Sequence, residues 1–250
     1  DDFAAALSAS DAARSALLTT CSSFVARSTD VNASLAAVGM LWTIADAGGG
    51  DAEDALTALA DAAADPRAEV RDCAVNTLFS CAIGAPISEE ATPTLVMLLR
   101  RTLTDAGLST YKAKNHYQRS RPFMSNGESI CTPDDESALR TDGSYPSGHT
   151  SVGWAWALIL SEIAPNQQDQ ILQRGLEYGR SRNICNVHWH SDVQAGQLIG
   201  AATVSRLHTN EVFRADLRAA AEEIQAQISL GNIRNSDDCK REKAALDNNP

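Results

Sequence analysis

The join between a polar turn and the chain's longest apolar run most limits what this sequence can fold into. Gly143-Ser-Tyr-Pro-Ser-Gly-His149 leads straight into Val152 to Leu160. The run is about half of the roughly 20 residues that a membrane-spanning helix needs, so it reads as a buried core helix of a soluble protein. Pro146 fixes one φ angle and Gly148 can take conformations closed to other residues. Two backbone N–H groups can therefore be turned toward an anion at the helix start, where the helix dipole also favours negative charge. His149 stands beside them. Elsewhere the chain is Ala-rich, with few aromatics and only 8 prolines in 250 residues, which favours helices over a many-stranded sandwich.

The formal net charge of −11 excludes a broad nucleic-acid surface and an anionic-membrane patch, since both need basic footprints. A phosphorylated ligand must then be met by a local basic pocket. One stretch can supply it, because Lys112, Lys114, His116, Arg119 and Arg121 follow one another closely. Pro122 disfavours helical geometry at the residue before it. Arg121 is thus expected at a helix end with its side chain free to turn inward.

Helical spacing runs along most of the chain. Asn32 can cap a helix carrying Leu35, Val38, Leu41 and Ile44, and two further short helices are expected from Ala52 to Ala64 and from Pro66 to Ala82. Pro86 and Ser88 are expected to open another, with Glu89 and Glu90 in its first turn, Leu95, Leu98, Leu99 and Leu103 along one side, and Arg100 and Arg101 near the far end, where they suit the dipole. Phe123 to Asp142 reads as a polar loop. After the apolar helix, closed by Pro165, come an amphipathic helix from Asn166 to Arg182, an apolar helix to about His208, and a last helix from Asn210 to near Gly231. The tail beyond is polar and loose unless Cys239 pins it.

Six dispersed cysteines with no Cys-x-x-Cys pair suit up to three disulfides in an oxidising compartment better than a metal cluster. Cys73 and Cys81 lie two helical turns apart, roughly 12 Å, too far to bond each other in a continuous helix. Cys21 is a candidate partner for either. Asp1 opens neither on Met nor on a secretory signal, which suits a mature or trimmed chain.

Three segments carry the chemistry: Lys114 with Arg121-Pro122, then Pro146-Ser147-Gly148-His149, then Ser181-Arg182 with His188 and Asp192. Their order and spacing resemble the three-part signature of the class A bacterial non-specific acid phosphatases, within the type 2 phosphatidic acid phosphatase and vanadium haloperoxidase superfamily. That signature is Lys-x6-Arg-Pro, Pro-Ser-Gly-His and Ser-Arg-x5-His-x3-Asp, and every fixed position is present. Gly143 to Glu162 and His188 to Ala195 also look similar to the family, and Gly84 to Gly107 more loosely. Two departures concern substrate preference. His190 stands where Gln is expected, and His116 where the family often has Lys.

The resemblance implies a metal-independent acid phosphatase that needs no cofactor and hydrolyses phosphate monoesters of broad specificity through a phosphohistidine. His188 is then the nucleophile. His149 protonates the leaving alcohol and later deprotonates water, and Asp192 accepts the Nδ1 proton of His188. Lys114, Arg121 and Arg182 supply cations for the equatorial phosphoryl oxygens, and Ser147 and the Gly148 N–H add neutral donors. Asp192, four residues after His188, shares its face if the helix has begun by then. Metal ligation by His188, His190 and Asp192 is set aside because the family's mechanism is metal-free.

The implied fold class is all-α, a single helical domain over residues 1–231 packed around a phosphate pocket with no significant sheet, followed by a polar tail over 232–250. The implied setting is periplasmic or secreted. Expected partners are small phosphorylated substrates, nucleotides among them, and a second copy of the chain in a homodimer or larger assembly, with no nucleic-acid polymer and no membrane span. Vanadate is expected to inhibit as a phosphate mimic. Transfer of the phosphoryl group to nucleosides would use the same intermediate. Cys131 and Cys185 flank motif segments and are the favoured pair. The competing readings are a vanadate-dependent haloperoxidase using the same pocket and a non-catalytic binding module built from the N-terminal helices.

Overall fold

The structure, a computed structural model, describes residues 79–232 and 239–240. The expectations for Asn32, for Ala52 to Ala64, for most of Pro66 to Ala82, and for Cys21 and Cys73 lie outside the described residues. Residues 79–83 and 239–240 are helical, and eight further α-helices are described: α1 Pro93–Leu108, α2 Tyr111–Tyr117, α3 Pro122–Asn126, α4 Glu136–Leu139, α5 Gly148–Ile163, α6 Gln168–Ile184, α7 His190–Leu207 and α8 Glu211–Ser229, with 3-10 turns at Pro133–Asp135 and Pro165–Gln167. Among the described residues there is no strand, and the all-α expectation holds.

α5 is the centre of the bundle because its sequence is apolar nearly all the way round. It packs against α1, α6, α7 and α8. Ala155, Trp156, Ala157, Ile159 and Leu160 are fully buried, and the Trp156 indole N–H donates to Leu99 O across 3.0 Å, so the largest core side chain carries no unmet polar group. The sister helices come unusually close to it. A Cβ on Gly175 of α6 would lie 2.5 Å from Ala157 Cβ, and one on Gly200 of α7 would lie 2.5 Å from Ser151 O.

The start of α1 differs from expectation. Thr92, at φ −143° and ψ 60°, is not helical, and Pro93 takes the first helical position, where its missing N–H costs nothing. Ser88 instead closes a tight turn, its Oγ accepting from Ala91 N–H at 3.2 Å. Glu89 and Glu90 therefore lie outside the first turn of α1. The carboxylate that serves this helix start is Glu223 of α8, which accepts from Thr94 N–H at 2.9 Å and Leu95 N–H at 3.1 Å. Arg100 and Arg101 pair with Glu89 at 2.6 Å and Asp216 at 2.9 Å.

The expected loop from Phe123 to Asp142 contains α3, a 3-10 turn and α4. Pro122 presets the first turn of α3, and an i,i+4 pair between Glu136 and Arg140 spans α4 at 2.6 Å. Two disulfides are described. Cys131–Cys185 is the expected pair, and Cys81 bonds Cys239 rather than Cys21, which ties the chain down at Cys239. No helix among the described residues is long and apolar enough to cross a membrane.

Candidate active site

Each motif sits where a helix begins or ends, which lets its side chains leave the helix axis and meet. Lys114 belongs to short α2 and is buried. Its Nζ donates to Asp142 Oδ2 at 3.0 Å and also to Gly143 O. Burial lowers the pKa of this ammonium from its ordinary value, with Asp142 opposing the shift and Arg121 adding to it.

Arg121 is extended, at φ −80° and ψ 156°, and caps α3, as Pro122 implied. Its guanidinium is anchored on backbone oxygens: Nε donates to Leu139 O at 3.0 Å and Asp142 O at 3.2 Å, and Nη1 to Val187 O at 3.1 Å. Nη2 reaches Asp142 Oδ2 at 2.9 Å. The other Nη1 contact is with His188 Nε2, at 3.2 Å. A guanidinium can only donate, so Nε2 is the acceptor nitrogen and the neutral ring carries its proton on Nδ1.

That Nδ1 faces Asp192 Oδ2 at 3.5 Å. The two residues do not share a helical face, because α7 starts at His190 and His188 lies before it. Asp192 comes into line as the third residue of α7, where Oδ2 accepts from the Trp189 N–H at 2.8 Å. The other oxygen, Oδ1, accepts from Arg119 at 2.6 Å. Burial would raise the Asp192 pKa, but bonds from His188, the Trp189 N–H and Ser144 outweigh it, and the carboxyl stays below its ordinary value.

Ser147 caps α5, its fully buried Oγ accepting from Thr150 N–H at 3.2 Å and Thr150 Oγ1 at 2.9 Å. A hydroxyl accepts through lone pairs and donates through its own hydrogen, so capping leaves it a donor. The Ser147 N–H donates to Asp192 O at 3.0 Å. The second and third motifs thus touch directly. Gly148 begins α5 beside Lys114, and a Cβ there would lie 4.0 Å from Lys114 Cε.

His149 follows in the first turn of α5. Its pKa is held well below the ordinary value, first by burial and then by the charges of Arg182, His188, Lys114 and Arg121. Arg182, in the last turn of α6 and buried, donates through Nε to Ser181 Oγ at 3.3 Å. Burial also lowers His188, with the Asp192 bond opposing and the Arg121 and Lys114 charges adding, to about 4.

The eight residues singled out in the sequence therefore come together as one cluster. His190 and His116 are both exposed. Two charged residues that the motif reading did not assign join the cluster. Arg119 holds Asp192, reaches Ser191 Oγ at 2.7 Å and lies 5.5 Å over the Trp189 ring. Asp142 bridges Lys114 and Arg121. Arg119 was visible only as one member of a basic stretch, and Asp142 as one acid in a loop.

Among the described residues, then, a helical bundle carries buried cations, a carboxylate-oriented imidazole and a second imidazole at a helix start. Residues 92–214 match the family model of the PAP2 superfamily, so this segment is similar to that superfamily. Its relatives include the non-specific acid phosphatase of Providencia stuartii, 47% identical over 150 residues. The non-specific acid phosphatase of Salmonella typhimurium is 42% identical over 157 residues, and the acid phosphatase of Zymomonas mobilis 38% over 167. These matches cover 60%, 62% and 67% of this chain, and the chain spans 60%, 63% and 63% of the respective relatives.

Proposed function

We propose that this protein is an acid phosphatase that hydrolyses small phosphate monoesters through a phosphohistidine on His188, without a metal ion. The observation that carries the reading is the Arg121–His188 contact. It puts a phosphate-gripping fork 3.2 Å from the one imidazole nitrogen that bears a lone pair. Lys114, Arg121 and Arg182 hold the phosphoryl oxygens, with Ser147 Oγ and the Gly148 N–H as neutral donors.

His188 Nε2 attacks phosphorus as the bond to the leaving oxygen breaks, and His149 gives that oxygen its proton. Asp192 steadies the Nδ1 proton and the charge that the ring acquires. Water then attacks phosphorus, its proton goes to His149, the P–N bond breaks, and inorganic phosphate leaves. An alcohol in place of water would give phosphotransfer, nucleosides included.

The suppressed pKa of His149 means that the general acid is not charged in the empty pocket near neutral pH. A phosphate dianion among the three cations cancels their repulsion, so His149 takes up its proton in the substrate complex, most readily in mild acid. The disulfides suit an oxidising compartment such as the periplasm or the exterior.

Phosphate release from an aryl phosphate should persist in excess chelator with no added metal; loss of activity there overturns the metal-free mechanism. His149→Ala is expected to lower turnover about 10²–10⁴-fold with a poor alkoxide leaving group and far less with a good aryl one. Equal losses on both substrates would remove His149 from the acid role.

The lowered His188 value also sets a stability trend. Below about 6.5 the unfolded chain binds a proton that folded His188, at about 4, does not. Its contribution to stability is whole above about pH 6.5 and is lost as pH falls toward 4, by about 3 kcal/mol. Melting temperature should fall from pH 7 to pH 4.5, and His188→Asn should flatten that fall.

A further inference from the structure

Lys114 and Arg121 converge on one oxygen that is not phosphate. Lys114 Nζ lies 3.0 Å and Arg121 Nη2 2.9 Å from Asp142 Oδ2. Two cations on a single oxygen is the arrangement the same side chains would make with a phosphoryl oxygen.

The three partners differ in how firmly they are held. The side chains of Lys114 and Arg121 are 6% and 2% exposed, whereas that of Asp142 is 41% exposed. The cations also have anchors that do not involve this carboxylate. Gly143 O accepts from Lys114, and Leu139 O, Asp142 O and Val187 O accept from Arg121. The Asp142 side chain is therefore not needed to set their positions. What it uniquely adds is negative charge at the water-facing edge of the pocket.

Resting on the phosphatase reading above, we infer that Asp142 is an internal anion that competes with phosphate for Lys114 and Arg121 and so weakens product retention. Substrate displaces the carboxylate toward water. When the ester bond has been hydrolysed, the carboxylate returns to the two cations and helps inorganic phosphate leave. No bond is made or broken in this exchange, and no further reactant is needed.

The test measures inhibition by inorganic phosphate and by vanadate, together with kcat and KM on an aryl phosphate, in the wild type and three variants. Asp142→Asn keeps the size and one acceptor oxygen but removes the charge. Both anions should then inhibit about tenfold more tightly, as expected when a like charge within a few ångströms is removed, and KM should fall further than kcat. Asp142→Glu, which keeps the charge, should stay near wild type. Asp142→Ser gives the same direction as Asn and covers the case in which Asn does not fold.

Unchanged or weaker anion inhibition in the uncharged variants overturns the inference and reduces Asp142 to a positioning residue. A wild-type enzyme that neither anion inhibits overturns the phosphate-pocket reading itself, and this inference with it.

Discussion

His188→Ala is expected to remove phosphate release almost entirely, by at least about 10⁴-fold, because on the phosphohistidine reading it deletes the attacking nitrogen. The loss should fall on kcat. Acid quenching of the wild type during turnover should trap phosphate on His188, and the variant should trap none. The fold should survive, because Asp192 keeps its bonds to Arg119 and to the Trp189 N–H when the imidazole is gone. A correctly folded variant that still turns over at the wild-type rate would remove His188 from the nucleophile role.

The second large effect is on structure and reaches the site through packing. A Cβ on Gly196 would lie 2.6 Å from Ser147 O and 2.9 Å from Thr150 Cβ. Neither neighbour can yield easily, since one is backbone and the other belongs to Thr150, which is tied to the Ser147 cap by two hydrogen bonds. Gly196→Ala should therefore cost about 1–3 kcal/mol, as overpacking does, and Gly196→Val more. Because the displaced atom belongs to the Ser147 turn, kcat/KM should fall as well, measured beside thermal melting. Gly107→Ala is the control. Its Cβ would sit 3.8 Å from Val152 Cγ2, an ordinary contact, so it should be neutral or slightly stabilising in a helix. Equal behaviour of the two variants would remove the close-approach argument.

Much of this arrangement could be read from the chain before any coordinates. The apolar run after His149 has to be buried, and it became the central helix. Arg121 had to be extended before Pro122, and it is. Three motifs in order predicted one cluster, and they meet through the Arg121–His188 side-chain contact and the Ser147–Asp192 backbone bond.

What stayed hidden depends on contacts between distant segments. The carboxylate serving α1 comes from Glu223, far along the chain, while the nearby Glu89 and Glu90 are turned away by the break at Thr92. Asp192 meets His188 through a helix cap rather than a helical face, a distinction that rests on a one-turn boundary. Arg119 and Asp142 are ordinary surface-type residues by composition. They acquire roles only because the link between α2 and α3 brings Arg119 to Asp192, and the turn before α5 brings Asp142 to Lys114 and Arg121.

Cys81 and Cys239, bonded across a separation of 158 residues, close the chain into a covalent ring that contains all three motifs. Inside that ring, a single cut of the backbone would open the loop without separating the pieces. The nucleophile on one arc and the phosphate-gripping arginine on another would stay at high effective concentration, and each could find the other again without a search through solution.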